Sequence, residues 1–314
     1  MTLWQLFIGP FVDMATNRTF FIEVLIGGVV AGLMYSLVAL GFVLIYKASG
    51  VFNFAQGAMV LFAALTLVGF MEKRAPLLLA LALTVVTMTA LAFAIEGLVL
   101  RRLVNQPQIA LFMATIGLAF FIEGLAQMLW GAAVRGLDLG LQDEPIEWIS
   151  THIGMNISKF DLVAAGVAAI LVAVLAAFFN RTRIGRALRA VADDHQAALA
   201  VGIPLRQIWV IVWGVAGAVA TVAGLLWGAR NGVQYALTFV ALKALPVLIL
   251  GGFESVAGAI VGGLIIGASE KLAEVYLGPY VGGGIEGWFP YVLALLFLLV
   301  RPEGLFGEKI IRRI

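Results

Sequence analysis

Long apolar stretches separated by short polar segments dominate the chain. A membrane-spanning helix needs about 20 apolar residues, and seven stretches of the chain meet this requirement without interruption. An eighth apolar region, 236–277, is interrupted at Gly251 and Glu254. This interruption predicts two shorter or broken helices, about 236–250 and 256–276. The pattern predicts an all-α, polytopic membrane protein with about 8–9 transmembrane helices and Gly-interrupted segments, in one transmembrane domain over 1–314. The seven uninterrupted predicted spans are 20–46, 53–71, 75–99, 108–130, 160–180, 208–228 and 286–301.

Composition agrees with a membrane protein and removes several classes of site. The apolar set AVILMFWYC supplies 62% of the 314 residues and charged residues only 12%, against about 25% charged in soluble domains. The chain has no cysteine and two histidines, which excludes disulfide frameworks, thiolate metal sites and histidine metal centres. A net charge of +2 offers no basic surface for nucleic acid, and the chain carries no GxxxxGKS/T motif for ATP. We therefore expect no cofactor, no metal, no nucleic-acid partner and no enzymatic activity.

The distribution of lysine and arginine predicts the orientation in the membrane. Segment 181–207 carries five arginines, so the positive-inside rule places it in the cytoplasm. Loop 131–159 carries two basic and four acidic residues, and it is expected to face outward. This alternation puts the N-terminus in the periplasm and the C-terminus in the cytoplasm, with Lys73 and Arg74 as an exception in a short outer loop.

Two short segments resemble each other at a constant offset of 201. Residues 50–60 and 251–261 share five identical positions of eleven, and each segment follows an apolar span. Broken helices at corresponding positions of a repeat point to a translocation path in transporters. Ordinary helix–loop–helix packing explains the glycines equally well, so both interpretations remain open. The polar residues at the two bends, which would border a substrate pathway, are Asn53, Gln56, Glu254 and Ser255.

Five charged residues lie in or near the apolar stretches. Charges at the bilayer centre are costly and usually face a bundle interior or reach an interface. Glu23, Glu96 and Lys243 lie near span ends or can extend to an interface, whereas Glu123 is deep in its span and is expected to be the most buried. Glu270 completes the set. Acids scattered over different helices give little support to a proton relay, so an ion-coupled secondary transporter is kept only as an alternative.

Segment 181–207 is too charged to span the membrane, yet it favours helix. Alanine, leucine and arginine are good helix formers, and Gly202 followed by Pro204 is a stop signal. The pattern predicts a short helix over about 195–201 with a small, alanine-rich face. Such a face lets the surface of a partner protein approach closely.

Several motifs resemble those of one transporter family. Gln196-Ala197-Ala198-x-x-x-Gly202 is similar to the EAA…G loop of bacterial ABC importer permeases, with Gln in place of the usual Glu. Further segments resemble LivH-type branched-chain amino-acid permeases, in the expected order along about 20–305. They are Ala31–Tyr46, Ser49–Gly57, Ala114–Leu118, Gly185–Ala190 and Gly251–Ala259.

The resemblance implies a complete transport assembly. It implies a permease of the bacterial inner membrane, embedded in membrane lipid, that pairs with a homologous second permease subunit. Two ATPase subunits would bind it from the cytoplasm, and a periplasmic substrate-binding protein would deliver branched-chain or related hydrophobic amino acids. Gln56 stands where relatives often carry His, so urea or short amides remain an alternative substrate class. The residues expected to couple to the ATPase are Gln196, Ala197, Ala198, Gly202, Arg186 and Arg189.

Overall fold

The computed structural model describes residues 3–103, 106–141, 143–193 and 195–307. Within these residues the regular structure is helical, with two isolated β-bridges and no β-strand. The all-α class predicted from the sequence is confirmed. The α-helices are α1 (Leu3–Thr16), α2 (Arg18–Ser49), α3 (Gln56–Glu72), α4 (Leu77–Leu98), α5 (Gln108–Trp130), α6 (Glu147–His152), α7 (Lys159–Arg181), α8 (Arg183–Asp193), α9 (His195–Ala200), α10 (Leu205–Asn231), α11 (Val240–Lys243), α12 (Leu245–Gly251), α13 (Val256–Tyr276), α14 (Gly278–Val281) and α15 (Phe289–Val300).

The apolar helices coincide with the predicted spans. Among the described residues six helices are long and apolar enough to cross a membrane, namely α2, α4, α5, α7, α10 and α13. Three shorter apolar elements, α3, α15 and the helical segment Tyr235–Gly251, complete the predicted set. The predicted interruption is also present, because α12 ends at Gly251 and α13 begins at Val256.

Helices α2 and α10 occupy the centre of the bundle, where α3 is buried along most of its length. A close contact between α2 and α13 depends on small residues. A methyl group added at Gly32 would overlap the backbone of Gly263, and one added at Gly267 would overlap the backbone of Gly32. Small residues let helix backbones approach in this way inside membranes.

The outer helices present apolar side chains at the surface. Large residues of α4, α5 and α7, including Val86, Phe120 and Ile170, are mostly exposed. A soluble domain rarely exposes contiguous apolar surface on this scale. Lipid contact is the environment in which such faces are stable, as expected for a polytopic membrane protein.

The bundle has two distinct ends, which we name by the segments they carry. The basic end carries α8 and α9, and the opposite end carries residues 131–158. At the opposite end Arg135 forms a β-bridge with Val233 and an ion pair of 2.5 Å with Glu72, which holds segment 131–158 across the helix ends. Residues 308–314, which include the expected cytoplasmic C-terminus, lie outside the described residues.

Candidate functional site

Helix α8 is fixed to the end of α7 by a tight turn. The Gly185 backbone N–H donates to Thr182 Oγ1 at 3.0 Å, and a side chain at Gly185 would overlap the carbonyl groups of Phe178 and Phe179. The guanidinium of Arg189 donates to the Phe179 carbonyl oxygen at 2.7 Å. Arg189 therefore braces the α7–α8 corner, whereas Arg186 is exposed at the surface of the basic end.

Helix α9 occupies His195–Ala200, close to the predicted 195–201. Gly202 has φ of +83°, a left-handed conformation that ends the helix. The Gly202 N–H donates to the Leu199 carbonyl at 3.0 Å, and the Ile203 N–H donates to the Ala198 carbonyl at 2.9 Å. These bonds satisfy carbonyl groups at the end of a short helix.

The faces of α9 differ from the expected alanine-rich docking face. Ala198 is only 2% exposed and packs into the bundle. Ala197 and Gly202 are exposed, and the side chain of Gln196 lies outside the described part of the chain. Two apolar residues that sequence reasoning missed, Leu199 and Val201, are 53% and 76% exposed. Both are visible in the sequence as large apolar residues within the short predicted helix at 195–201.

The segment that carries α9 connects directly to the central spans. Arg206, in the first turn of α10, lies 3.6 Å from the Glu96 carboxylate near the end of α4. Glu96 is buried in the bundle at this end of α4. The Trp209 indole N–H donates to the Ala48 carbonyl at the end of α2, at 3.2 Å. Three spans thus converge where α9 leads into α10.

The two similar segments meet at the basic end. Gly50 has φ of +68° and ends α2, and Gly252 has φ of +101° after the end of α12. The rings of Phe52 and Phe253, which correspond at the offset of 201, make an edge-to-face contact with centroids 6.2 Å apart. Lys47 donates to the Glu254 backbone carbonyl at 3.3 Å.

The four polar residues at these bends have different environments. Buried Asn53 accepts from the Ala55 N–H at 3.1 Å, and Ser255 accepts from the Gly258 N–H at 2.9 Å as the N-cap of α13. Both amide atoms of the Gln56 side chain are buried without a hydrogen-bond partner among the described residues. Glu254 is exposed, and with Ser255 it lines a cavity of about 320 Å³ at the basic end. Asn53 and Gln56 do not line this cavity.

A larger cavity of about 530 Å³ lies at the opposite end. We call it the outer cavity; it is enclosed by α2, α7, α10, α11, α13, α15, the helical turn Tyr235–Phe239 and the turn before α15. Lys243 Nζ lies 2.9 Å from Glu270 Oε1, and the Tyr35 hydroxyl donates to the same oxygen at 3.1 Å. The Tyr35 ring stacks on Trp227 at a centroid distance of 5.5 Å. The charged residues that line the outer cavity are Asp161, Arg230, Lys243, Glu270, Lys271 and Glu286.

The outer cavity corrects the expectations for charged residues in the spans. Glu270 is 4% exposed, whereas Glu123, expected to be the most buried acid, is only half-buried. Lys243 pairs with Glu270 and keeps its side chain 33% exposed. Sequence reasoning named both residues separately; their pairing depends on the packing of both α11 and α13 against α2.

Comparison with known proteins places these features in a family. A family model described as "Branched-chain amino acid transport system / permease component" matches residues 24–301. The chain belongs to this family. The match extends from α2 to the end of α15 and contains both the α8–α9 segment and the outer cavity. Because it belongs to this permease family and has several helices able to span a membrane, the chain is a multi-pass inner-membrane transport component.

Individual relatives align over almost the whole chain. The high-affinity branched-chain amino acid permease protein LivH of Salmonella typhimurium is 26% identical over 312 residues, covering 96% of this chain and 100% of the relative. BraD of Pseudomonas aeruginosa, with the same description, is 28% identical over 306 residues, covering 94% and 98%. The probable LivH of Methanocaldococcus jannaschii is 27% identical over 298 residues, covering 90% and 92%.

Proposed function

We propose that this chain is the permease subunit of an ABC importer for branched-chain or related hydrophobic amino acids. Its 314 residues act as one transmembrane domain together with a homologous second permease. A periplasmic binding protein delivers the substrate, and two ATPase subunits supply the energy. The observation that carries this proposal is the family match over 24–301, with full-length relatives that are themselves described as branched-chain amino acid permeases.

The ATPase docks at the basic end, on the surface formed by α8 and α9. Leu199 and Val201 expose apolar side chains there, and Arg186 adds an exposed positive charge. Exposed apolar residues rimmed by polar groups are typical of protein-binding surfaces. Gly202, which follows Val201, has open space around its α-carbon, so a partner backbone can approach it.

The basic end faces the cytoplasm in this proposal. Five arginines between 181 and 207 favour that side under the positive-inside rule. The N-terminus is then periplasmic, the C-terminus is cytoplasmic, and the outer cavity opens toward the periplasm. Substrate enters at the outer cavity and leaves at the basic end, where Glu254 and Ser255 line the smaller cavity.

Reconstitution tests the proposal and its alternatives together. The chain is co-expressed with a homologous permease, two ATPase subunits and a binding protein from the same organism, and labelled leucine uptake into proteoliposomes is measured. Import that requires ATP and the binding protein is expected. ATP-driven uptake of urea or acetamide without leucine would assign the short-amide class. Leucine uptake by the lone chain under a proton or sodium gradient would assign a secondary transporter.

A further inference from the structure

We propose that the outer cavity is a binding site for the zwitterionic head of an amino acid, with Lys243 holding the carboxylate and Glu270 the ammonium group. The aliphatic side chain of the amino acid lies against Tyr35 and Trp227. This inference rests on the proposed function, because it names the place in the permease that the imported substrate occupies. Neither the sequence motifs nor the relatives' descriptions assign these residues a role.

The charged pair is the first step of the argument. Lys243 and Glu270 belong to apolar helical segments, with Nζ and Oε1 2.9 Å apart and side chains 33% and 6% exposed. Charged residues at membrane depth are costly and usually mark a substrate or ion pathway. A pair kept only for stability could be replaced by apolar residues at little cost.

Unused hydrogen-bonding capacity in the cavity wall is the second step. Glu270 Oε1 accepts from Lys243 and Tyr35, yet Oε2 of the same carboxylate is buried without a partner among the described residues. The Trp227 indole N–H is also buried without a hydrogen-bond partner among the described residues, and Trp227 lines the same cavity. Buried polar atoms are nearly always paired, so two unpaired atoms in one wall indicate that a ligand or water completes them.

The combination of charges selects a zwitterion. An amino acid carries a carboxylate and an ammonium on the same carbon, so its site needs both signs within a few ångströms. Lys243 and Glu270 provide them, and Arg230 and Asp161, 3.0 Å apart, provide a second pair in the same lining. A neutral amide or a sugar would gain little from buried charges, whereas each ionised group of a zwitterion forms a charge-assisted hydrogen bond.

The remaining walls suit an aliphatic side chain. The stacked rings of Tyr35 and Trp227, together with Ala31, Val240 and Leu242, present apolar surface beside the charges. The volume of about 530 Å³ falls within the range of about 300–1,000 Å³ that is usual for small-molecule sites. It accommodates leucine, isoleucine or valine without selecting strongly among them.

Protection from a thiol reagent tests occupancy directly in this cysteine-free chain. Ala236→Cys places a thiol at an exposed residue of the cavity lining, and Ala132→Cys is the matched control on segment 131–158. Both are labelled in the complete reconstituted transporter with a small water-soluble methanethiosulfonate. Leucine at about ten times its dissociation constant for the outer cavity should slow the labelling of Ala236→Cys about tenfold. The labelling rate of Ala132→Cys should not change.

Analogues and charge variants identify the contacts. Isocaproate lacks the ammonium group and isopentylamine lacks the carboxylate, so neither should protect Ala236→Cys at the same concentration. Glu270→Gln and Lys243→Gln, each in the Ala236→Cys background, should raise the half-protecting leucine concentration by about 10- to 150-fold, the range expected for a lost hydrogen bond to a charge. Glu72→Gln breaks a comparable ion pair outside the cavity and should leave the concentration unchanged.

The outcomes separate this inference from the proposed function. If Ala236→Cys transporter imports leucine but leucine never slows its labelling, the outer cavity is not the site and the importer assignment stands. Equal protection by leucine, isocaproate and isopentylamine would likewise overturn recognition of the zwitterion. If the wild-type complex imports no branched-chain amino acid at all, the proposed function itself is wrong.

Discussion

Truncation of the two exposed apolar residues of α9 gives a quantitative test of ATPase docking. The double variant Leu199→Ala/Val201→Ala deletes three side-chain carbons from Leu199 and two from Val201. These side chains are 53% and 76% exposed, and only the exposed part is available to a partner. At about 0.8 kcal/mol per buried CH₂ group, the exposed fractions correspond to about 1.3 kcal/mol for Leu199 and about 1.2 kcal/mol for Val201.

The loss predicts a measurable change in affinity. Full burial of both side chains under the ATPase would make the double variant bind about 2.5 kcal/mol more weakly, or about 70-fold in the dissociation constant. The assay titrates purified ATPase against the permease in nanodiscs and follows ATP-driven leucine uptake in parallel. The fold should be kept, because both residues are more exposed than buried, and the melting temperature of the permease checks this.

A matched control uses an exposed valine and leucine at the other end of the bundle. Val134→Ala/Leu141→Ala removes the same atoms from segment 131–158, where the residues are 67% and 42% exposed. Its ATPase affinity should equal that of the wild type. An unchanged affinity in the α9 variant, with normal membrane levels of both proteins, would refute docking on this face.

Further substitutions test the backbone and the ion pair around these sites. Gly202→Val should weaken ATPase binding, because a β-branched residue resists φ of +83°; co-purification measures this. Gly267→Val should lower the melting temperature of the permease, because the new side chain overlaps the α2 backbone at a cost of about 1–3 kcal/mol or more. The control Gly117→Val places its side chain in open space and should not lower the melting temperature. Arg206→Gln should destabilise by about 1–3 kcal/mol by leaving the buried Glu96 carboxylate unpaired, and adding Glu96→Gln should restore the melting temperature.

The positions of the spans could be predicted from the sequence because the bilayer imposes a simple rule. Apolar runs of sufficient length must form helices. A helix must also end near Gly251, because Gly252 adopts a backbone conformation with positive φ. The end of α9 at Gly202 was predictable for the same local reason. Each of these features depends on residues within one or two helical turns.

The buried face of each helix and the ion pairs between helices could not be predicted, because both depend on tertiary packing. Depth within a span does not tell which side of a helix faces the bundle, so Glu123 was expected to be more buried than Glu96. Helix α9 is too short for a hydrophobic pattern to show that Ala198 points inward. The Lys243–Glu270 contact joins residues 27 positions apart, and it forms where α11 and α13 both pack against α2.

Helix α10 links the two sites and leads to a thermodynamic prediction. It begins directly after the α9 segment, and its other end supplies Trp227 and Arg230 to the outer cavity. Its 27 residues span about 40 Å at 1.5 Å per residue, and we expect a shift at Pro204 to reach the cavity through this helix. Coupling between two binding sites is reciprocal. If docked ATPase changes the half-protecting leucine concentration at Ala236→Cys by some factor, saturating leucine must change the ATPase dissociation constant by the same factor. Both constants are measurable on one preparation in nanodiscs, and identical values with and without the other ligand would show that α10 transmits nothing between these sites.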